Sequence, residues 1–121
     1  SEVYLIAAEA ALHMGDKEAA ASWLNNIRRR SPQLAAATAA TVTDDMILDE
    51  RSKELFGEGQ RFFDMIRMNR TIVFNDDFQD VPVTRRAKTI DRTFGGIVLP
   101  IPQDEINANA AIADQQNDYY K

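Results

Sequence analysis

Cysteine is absent from this chain of 121 residues. Disulfides, thiolate metal sites and cysteine nucleophiles are therefore excluded, and the redox compartment cannot be read from cysteine usage. Basic charge is also short. The formal net charge is −5 with a pI near 4.8, and the longest basic run is Arg28-Arg29-Arg30. A surface that neutralises nucleic-acid phosphates needs a basic patch, so a nucleic-acid partner is not expected. No run is apolar and long enough to cross a bilayer, so no transmembrane span is expected. The first residues, SEVYLIAAEA, lack the basic region and cleavage site of a signal peptide, and they begin in mid-pattern, already helical. The chain is expected to be a piece of a longer protein. What is present is ordinary for one soluble globular domain: 45% hydrophobic and 27% charged residues.

Residues 1–34 predict two helices. Val3, Ile6, Ala7 and Ala10 follow one helical face, Gly15-Asp16 interrupts, and Ala20, Trp23, Leu24 and Ile27 resume the spacing. Small residues at Ala7, Ala8, Ala11 and Ala20 allow close backbone approach in an antiparallel hairpin, with Trp23 and Leu24 filling the space beside them. Arg28 to Arg30 suit the negative end of the second helix dipole, and Pro32 stops propagation. Tyr4, Ala8, Gly15-Asp16, Ala20, Leu24, Ile27 and Pro32 resemble one tetratricopeptide-type unit. No second copy follows in this chain, so on its own the unit would lack a stacking neighbour on one side.

Residues 33–42, QLAAATAATV, show no amphipathic pattern and read as a surface linker. Thr43 or Asp44 caps a third helix, on which Ile47, Leu48 and Leu55 define an apolar sector with Arg51 in its middle. An arginine inside an apolar face must be paired, and the candidates are Glu50, Glu54 and Asp64. Gly57 and Gly59 break the helix before a fourth over residues 60–69, carrying Phe62, Phe63 and Ile66 and returning Arg61 and Asp64 towards the first acidic cluster. Residues 71–96 show no sustained period and predict a long irregular excursion. In the tail, Pro100 and Pro102 fix an extended LPIP segment before a short helix over 103–107, expected to pack on the other helices through Val98, Leu99, Ile101 and Ile106. The fold class is all-α: a tetratricopeptide-like hairpin (1–34), a charged block of two further helices (43–70), an irregular segment (71–96) and an extended tail (97–121).

The order YLIAAEA…GDKEAAASWLNNIRRR, then DERSKELFGEGQRFFDMIR, then LPIPQDEINAN and a terminal QNDYY, resembles the C-terminal portion of the SusD/RagB family of Bacteroidetes. The resemblance covers nearly the whole chain. It implies a C-terminal part of a largely helical, lipid-anchored cell-surface protein that binds glycans or other nutrients and caps a TonB-dependent (SusC-like) outer-membrane transporter. Two departures stand out: Asn109-Ala110 replaces the family's usual Asn-Pro, and Gln116-Asn117-Asp118-Tyr119-Tyr120 replaces its usual Gln-Asn-Pro-Gly-Tyr. The competing reading is a free-standing tetratricopeptide-like module for protein partners, which has no reason to carry both the charged block and LPIP.

The charged residues Glu50, Arg51, Glu54, Arg61 and Asp64 could in principle contain a catalytic carboxylate pair. An interleaved arginine would keep those acids ionised, so a structural network is the better reading. His13 has no Asp-His-Ser arrangement around it and suits a solvent-facing or capping role. No enzyme and no cofactor are expected. Trp23 could stack on a sugar, but its spacing favours packing inside the hairpin. Tyr119 and Tyr120 suit tail docking. Asn75, Asp76, Asp77 and Asp80 offer oxygen ligands without the glycine and spacing of a calcium loop. No ligand-binding residue is transferred from the resemblance; the first place to search is 71–96, with Phe74, Phe78, Asp80 and Arg92.

Overall fold

The computed structural model describes residues 1–73 and 89–121. These form two compact units, Ser1–Asp64 and Met65–Lys121. The architecture is helical, with one small sheet among the described residues.

In the first unit, α1 (Glu2–His13) and α2 (Lys17–Arg28) form the hairpin, and α1 also packs on α3 (Asp44–Glu54). The hairpin turn is chemically determined. Gly15 takes φ +84°, and its N–H and that of Asp16 donate to the Leu12 and Ala11 carbonyls, closing α1 with a Schellman turn. Asp16 then caps α2 by accepting from the Ala19 N–H at 2.9 Å.

The buried face of α1 is Leu5, Ala8 and Ala11, not Val3, Ile6, Ala7 and Ala10; Val3 and Ile6 are exposed. Helix α1 is apolar nearly all round, so periodicity alone does not choose its inward face. The alanine stripe does, because Ala8 and Ala11 meet Ala20 and Ala21 in the same core, joined by Leu24, Ile27 and Ile47. Trp23 also requires correction. It stands at the rim of the hairpin, 41% exposed, with its ring 5.9 Å from that of Tyr4, which is exposed as well.

Residues 33–42 are irregular, as expected, but they are not simply a surface linker. Ala37 and Val42 are buried in the core. Ala37 is held like a strand residue by a side chain: its N–H donates to Asn25 Oδ1 at 2.8 Å, and its carbonyl accepts from Asn25 Nδ2 at 2.9 Å. Thr43 caps α3 by accepting from the Met46 N–H.

Helix α3 ends at Glu54 with Leu55 as its C-cap, and Gly57 and Gly59 adopt φ +81° and +73°, conformations that a side chain resists. Helix α4 (Gln60–Arg67) stops two residues before the expected end. Asn69 at φ +53° closes it, with the Asn69 and Arg70 N–H groups donating to the Ile66 and Met65 carbonyls in a second Schellman turn. Phe62 and Phe63 do not enter the core. They lie exposed and edge-to-face, and the buried residue of α4 is Asp64.

In the second unit, the expected irregular segment has an ordered base. β1 (Ile72–Val73) and β2 (Thr89–Ile90) pair antiparallel, with Ile72 opposite Ile90 and Val73 opposite Thr89. Phe74, Asn75, Asp76, Asp77, Phe78 and Asp80 lie outside the described residues, and Arg92 is exposed. The LPIP segment is extended and leads into α5 (Gln103–Ala108), one residue longer than expected. Val98 and Leu99 are exposed and Ile101 and Ile106 half-buried, so the first two do not pack as the apolar pattern suggested.

The tail is pinned by amide side chains. Gln116 both accepts from the Ile101 N–H and donates to the Ile101 carbonyl, each at 3.0 Å. Asn117 Nδ2 donates to the carbonyls of Gly95 and Val98, and the Tyr120 hydroxyl donates to the Gly96 carbonyl. The Tyr119 ring stacks edge-to-face on Phe94 and lies so close to Gly95 that a Cβ there would sit 3.1 Å from it. Tyr119 and Tyr120 therefore dock the tail together with Gln116 and Asn117, with Asp118-Tyr119 following the Gln-Asn pair. Asn109 caps the 3-10 turn Ala110–Gln115 through its side chain, with Ala110 in its first position.

Candidate functional site

The charged block on α3 resolves into separate ion pairs. Arg51 and Asp64 are the deepest, with side chains 4% exposed and Nε to Oδ2 at 2.7 Å. Their helices meet because the Gly57–Gly59 turn reverses the chain, bringing a residue of α4 under the apolar sector of α3. Arg51 Nη1 is buried and has no hydrogen-bond acceptor. Glu50, also buried, pairs with Arg28 Nη1 at 3.1 Å, while Arg28 Nε and Nη2 donate to the Ala35 carbonyl. Glu54 takes Arg30 and the Ser1 hydroxyl. Arg61 reaches no acid of this cluster, and instead donates to the Leu48 carbonyl at 3.1 Å.

Arg51 therefore draws its partner from α4, not from Glu54 one turn along its own helix. Arg28 and Arg30 are the residues missed from sequence. They read as compensation for the α2 dipole, whereas they reach the acids of α3. The available signal was complementarity: Glu50 and Glu54 are spaced i, i+4 on one helix face, and two arginines stand at the end of the helix before it.

The pairing gives Glu54 a defined electrostatic character. The Arg30 hydrogen bond first, and the Ser1 hydroxyl second, hold its carboxyl below the usual carboxylate range. A depressed folded-state pKa contributes stability that is complete above the unfolded pKa and fades as pH falls through the folded one. Glu54→Gln is expected to be less stable than the parent sequence near neutrality by about 0.5 to 1 kcal/mol, the size of an ion pair reached by solvent. The difference should vanish in acid. Urea titrations across a pH series check this, and a difference that persists below the folded pKa would remove the carboxylate from that role.

His13 lies in the last turn of α1, half-exposed, with Nε2 2.8 Å from Asp44 Oδ1 at the start of α3. This bond ties two helix ends together. Among the described residues, no group of three His, Cys, Asp or Glu is arranged to hold a metal ion, and no helix is long and apolar enough to cross a membrane.

A groove of about 600 Å³ opens beside the Arg51–Asp64 pair. Leu55, Phe56 and Phe62 form its apolar walls, and Arg51, Arg61 and Asp64 its polar ones. The carboxylates of the block each bind a guanidinium, an arrangement that joins α2, the 33–42 segment, α3 and α4. It offers no second, uncommitted acid next to a first, as glycoside hydrolysis requires.

The SusD family model matches residues 1–120 of this sequence. The chain belongs to the SusD family. Solved structures agree. A SusD superfamily protein of Bacteroides thetaiotaomicron shares 41% identity and superposes with a TM-score of 0.84, covering 96% of this chain and 26% of the other. A SusD superfamily protein of Bacteroides vulgatus shares 41% identity at a TM-score of 0.80, covering 97% and 26%. A third protein, also from Bacteroides vulgatus and named for sugar binding, shares 38% identity at 0.78, covering 99% and 27%. The chain thus spans about a quarter of the length of these SusD relatives. No curated protein matches it.

Proposed function

We propose that the chain is the C-terminal scaffold part of a cell-surface glycan- or nutrient-binding protein, which acts by binding, not catalysis, and works with a TonB-dependent transporter in the outer membrane. The observation that carries this reading is the SusD family match along residues 1–120, joined to 38–41% identity with solved SusD superfamily proteins. The charged block supports the scaffold part of the reading. Its arginines are spent on ties between helices, and its aromatic neighbours are not arranged as a facing pair: Phe62 and Phe63 contact each other, and Trp23 contacts Tyr4. A sugar site needs polar groups converging beside an open aromatic face.

Calorimetric titration with a panel of oligosaccharides tests the proposal. The full-length protein is expected to bind at least one of them saturably, and the 121-residue chain none. Saturable binding to the chain alone would place the ligand site within it. Failure of the full-length protein to bind any glycan or other nutrient oligomer would overturn the functional assignment. Co-purification of the full-length protein with a TonB-dependent transporter from detergent-solubilised outer membranes tests the partner separately.

A further inference from the structure

We propose that residues 116–120 form a strap that docks and releases as one body. The side-chain amides of Gln116 and Asn117 hold the 94–101 segment in place of a hydrophobic core, and the strap opens locally while the first unit stays folded. This conformational device belongs to the second unit and does not depend on the functional reading.

Apolar burial is what the second unit lacks. Among the described residues of Met65–Lys121 none is buried, and Val98 and Leu99 are 66% and 80% exposed. The first unit, by contrast, closes on Leu5, Leu24 and Ile47. Burial of apolar surface is the dominant favourable term in folding, so a unit without it is held by directional bonds for which water competes. Such regions open at a lower free energy than a core does.

In the 94–101 segment those bonds come from the tail. Asn117 Nδ2 donates to the Gly95 and Val98 carbonyls at 2.8 and 3.0 Å, Gln116 Nε2 to the Ile101 carbonyl at 3.0 Å, and the Tyr120 hydroxyl to the Gly96 carbonyl at 3.2 Å. The Tyr119 ring closes over Phe94 and the two glycines. The same side chains also build the turn of the strap itself. Asn117 Oδ1 accepts from the Tyr119 N–H at 3.0 Å while its Nδ2 makes the docking bonds, and Gln116 Oε1 is shared between the N–H groups of Ile101 and Asn117, each at 3.0 Å. Each amide thus fixes both the conformation of the tail and its attachment. Loss of one weakens the other, and that coupling makes docking all-or-none.

Hydrogen exchange of the full-length protein, followed by mass spectrometry of overlapping peptides, tests the strap. Peptides over 91–101 and 116–121 are expected to exchange together and faster than those of α2, which report global opening. Asn117→Ala is expected to speed exchange over 91–101 roughly tenfold and to leave α2 unchanged. Gln116→Ala separates a strap from a set of independent bonds. Within the segment Gln116 bonds Ile101 alone, yet the Ile97 N–H, which donates to the Phe94 carbonyl, is expected to accelerate as well. Tyr120→Phe removes a single hydroxyl; it is expected to give a smaller acceleration over the same segment, and it serves if an amide variant does not fold. Gln103→Ala, whose side chain bonds Asn107 within α5, is the control and is expected to change nothing over 91–101. Unchanged exchange over 91–101 in the amide variants would overturn the proposal, because the segment would then be held by other contacts. Acceleration confined to Ile101 in Gln116→Ala would overturn it too, as would equal acceleration of α2, which would show that the strap does not open alone.

Discussion

Replacing Asp64 by alanine is expected to lower the free energy of unfolding by about 3 to 5 kcal/mol, the cost of stranding one member of a buried ion pair. Arg51 and Asp64 are both 4% exposed and meet at 2.7 Å. Without the carboxylate, a guanidinium with one nitrogen already lacking an acceptor would lose the charged partner of its Nε in a site that water barely reaches. The charge cannot be removed by a pKa shift, because arginine stays protonated. The pair also joins α3 to α4 across the Gly57–Gly59 turn, so its loss should loosen that turn. Equilibrium urea denaturation followed by far-UV circular dichroism measures the change. The double variant Arg51→Met with Asp64→Leu should recover most of the loss, since an apolar pair of similar volume often matches a buried ion pair in stability. An Asp64→Ala variant within about 1 kcal/mol of the parent would show that the pair is dispensable to this fold.

The second large effect is expected at Asn25, with a loss of about 2 to 4 kcal/mol in Asn25→Ala. Its amide holds both the N–H and the carbonyl of Ala37, at 2.8 and 2.9 Å, and Ala37 lies in the core. Truncation strands two backbone groups at once, each costing about 1 to 3 kcal/mol where water cannot replace the lost partner. Ala37 would then tend to leave the core and take the 33–42 segment with it. Asn26 is the control. It makes one hydrogen bond, to the Ser22 carbonyl on its own helix, and it is partly exposed. Asn26→Ala is expected to change stability by no more than about 0.5 kcal/mol. Equal costs at the two positions, measured by the same denaturation, would refute the special role of Asn25.

These two positions differ in how visible they were. Arg51 stands out in the sequence because a charge at the centre of an apolar sector has few acceptable states, and all of them are buried and paired. Asn25 gives no such signal. It lies between Leu24 and Ile27 on a helix, and its function depends on a carbonyl twelve residues away in a segment without periodicity.

Local chemistry determined the punctuation of this protein. Gly15-Asp16, Thr43, Gly57 with Gly59, and Pro100 with Pro102 each act on the backbone within a few residues, through positive φ, a capping oxygen or a fixed ring, and the structure puts turns, caps and extended chain at those places. The family was also legible, because the ordered combination of the charged block and LPIP is a long and specific string. Tertiary structure decided the rest. It chose the alanine face of α1 over the Val3 and Ile6 face, since close approach of two helix backbones depends on both helices together. It gave Arg51 to Asp64, Glu50 to Arg28 and Glu54 to Arg30, because the three acids are chemically alike and only the packing of α2, α3 and α4 sets their distances. It left Trp23, Phe56 and Phe63 exposed, although their apolar character is the same in a core or on a face awaiting a neighbour.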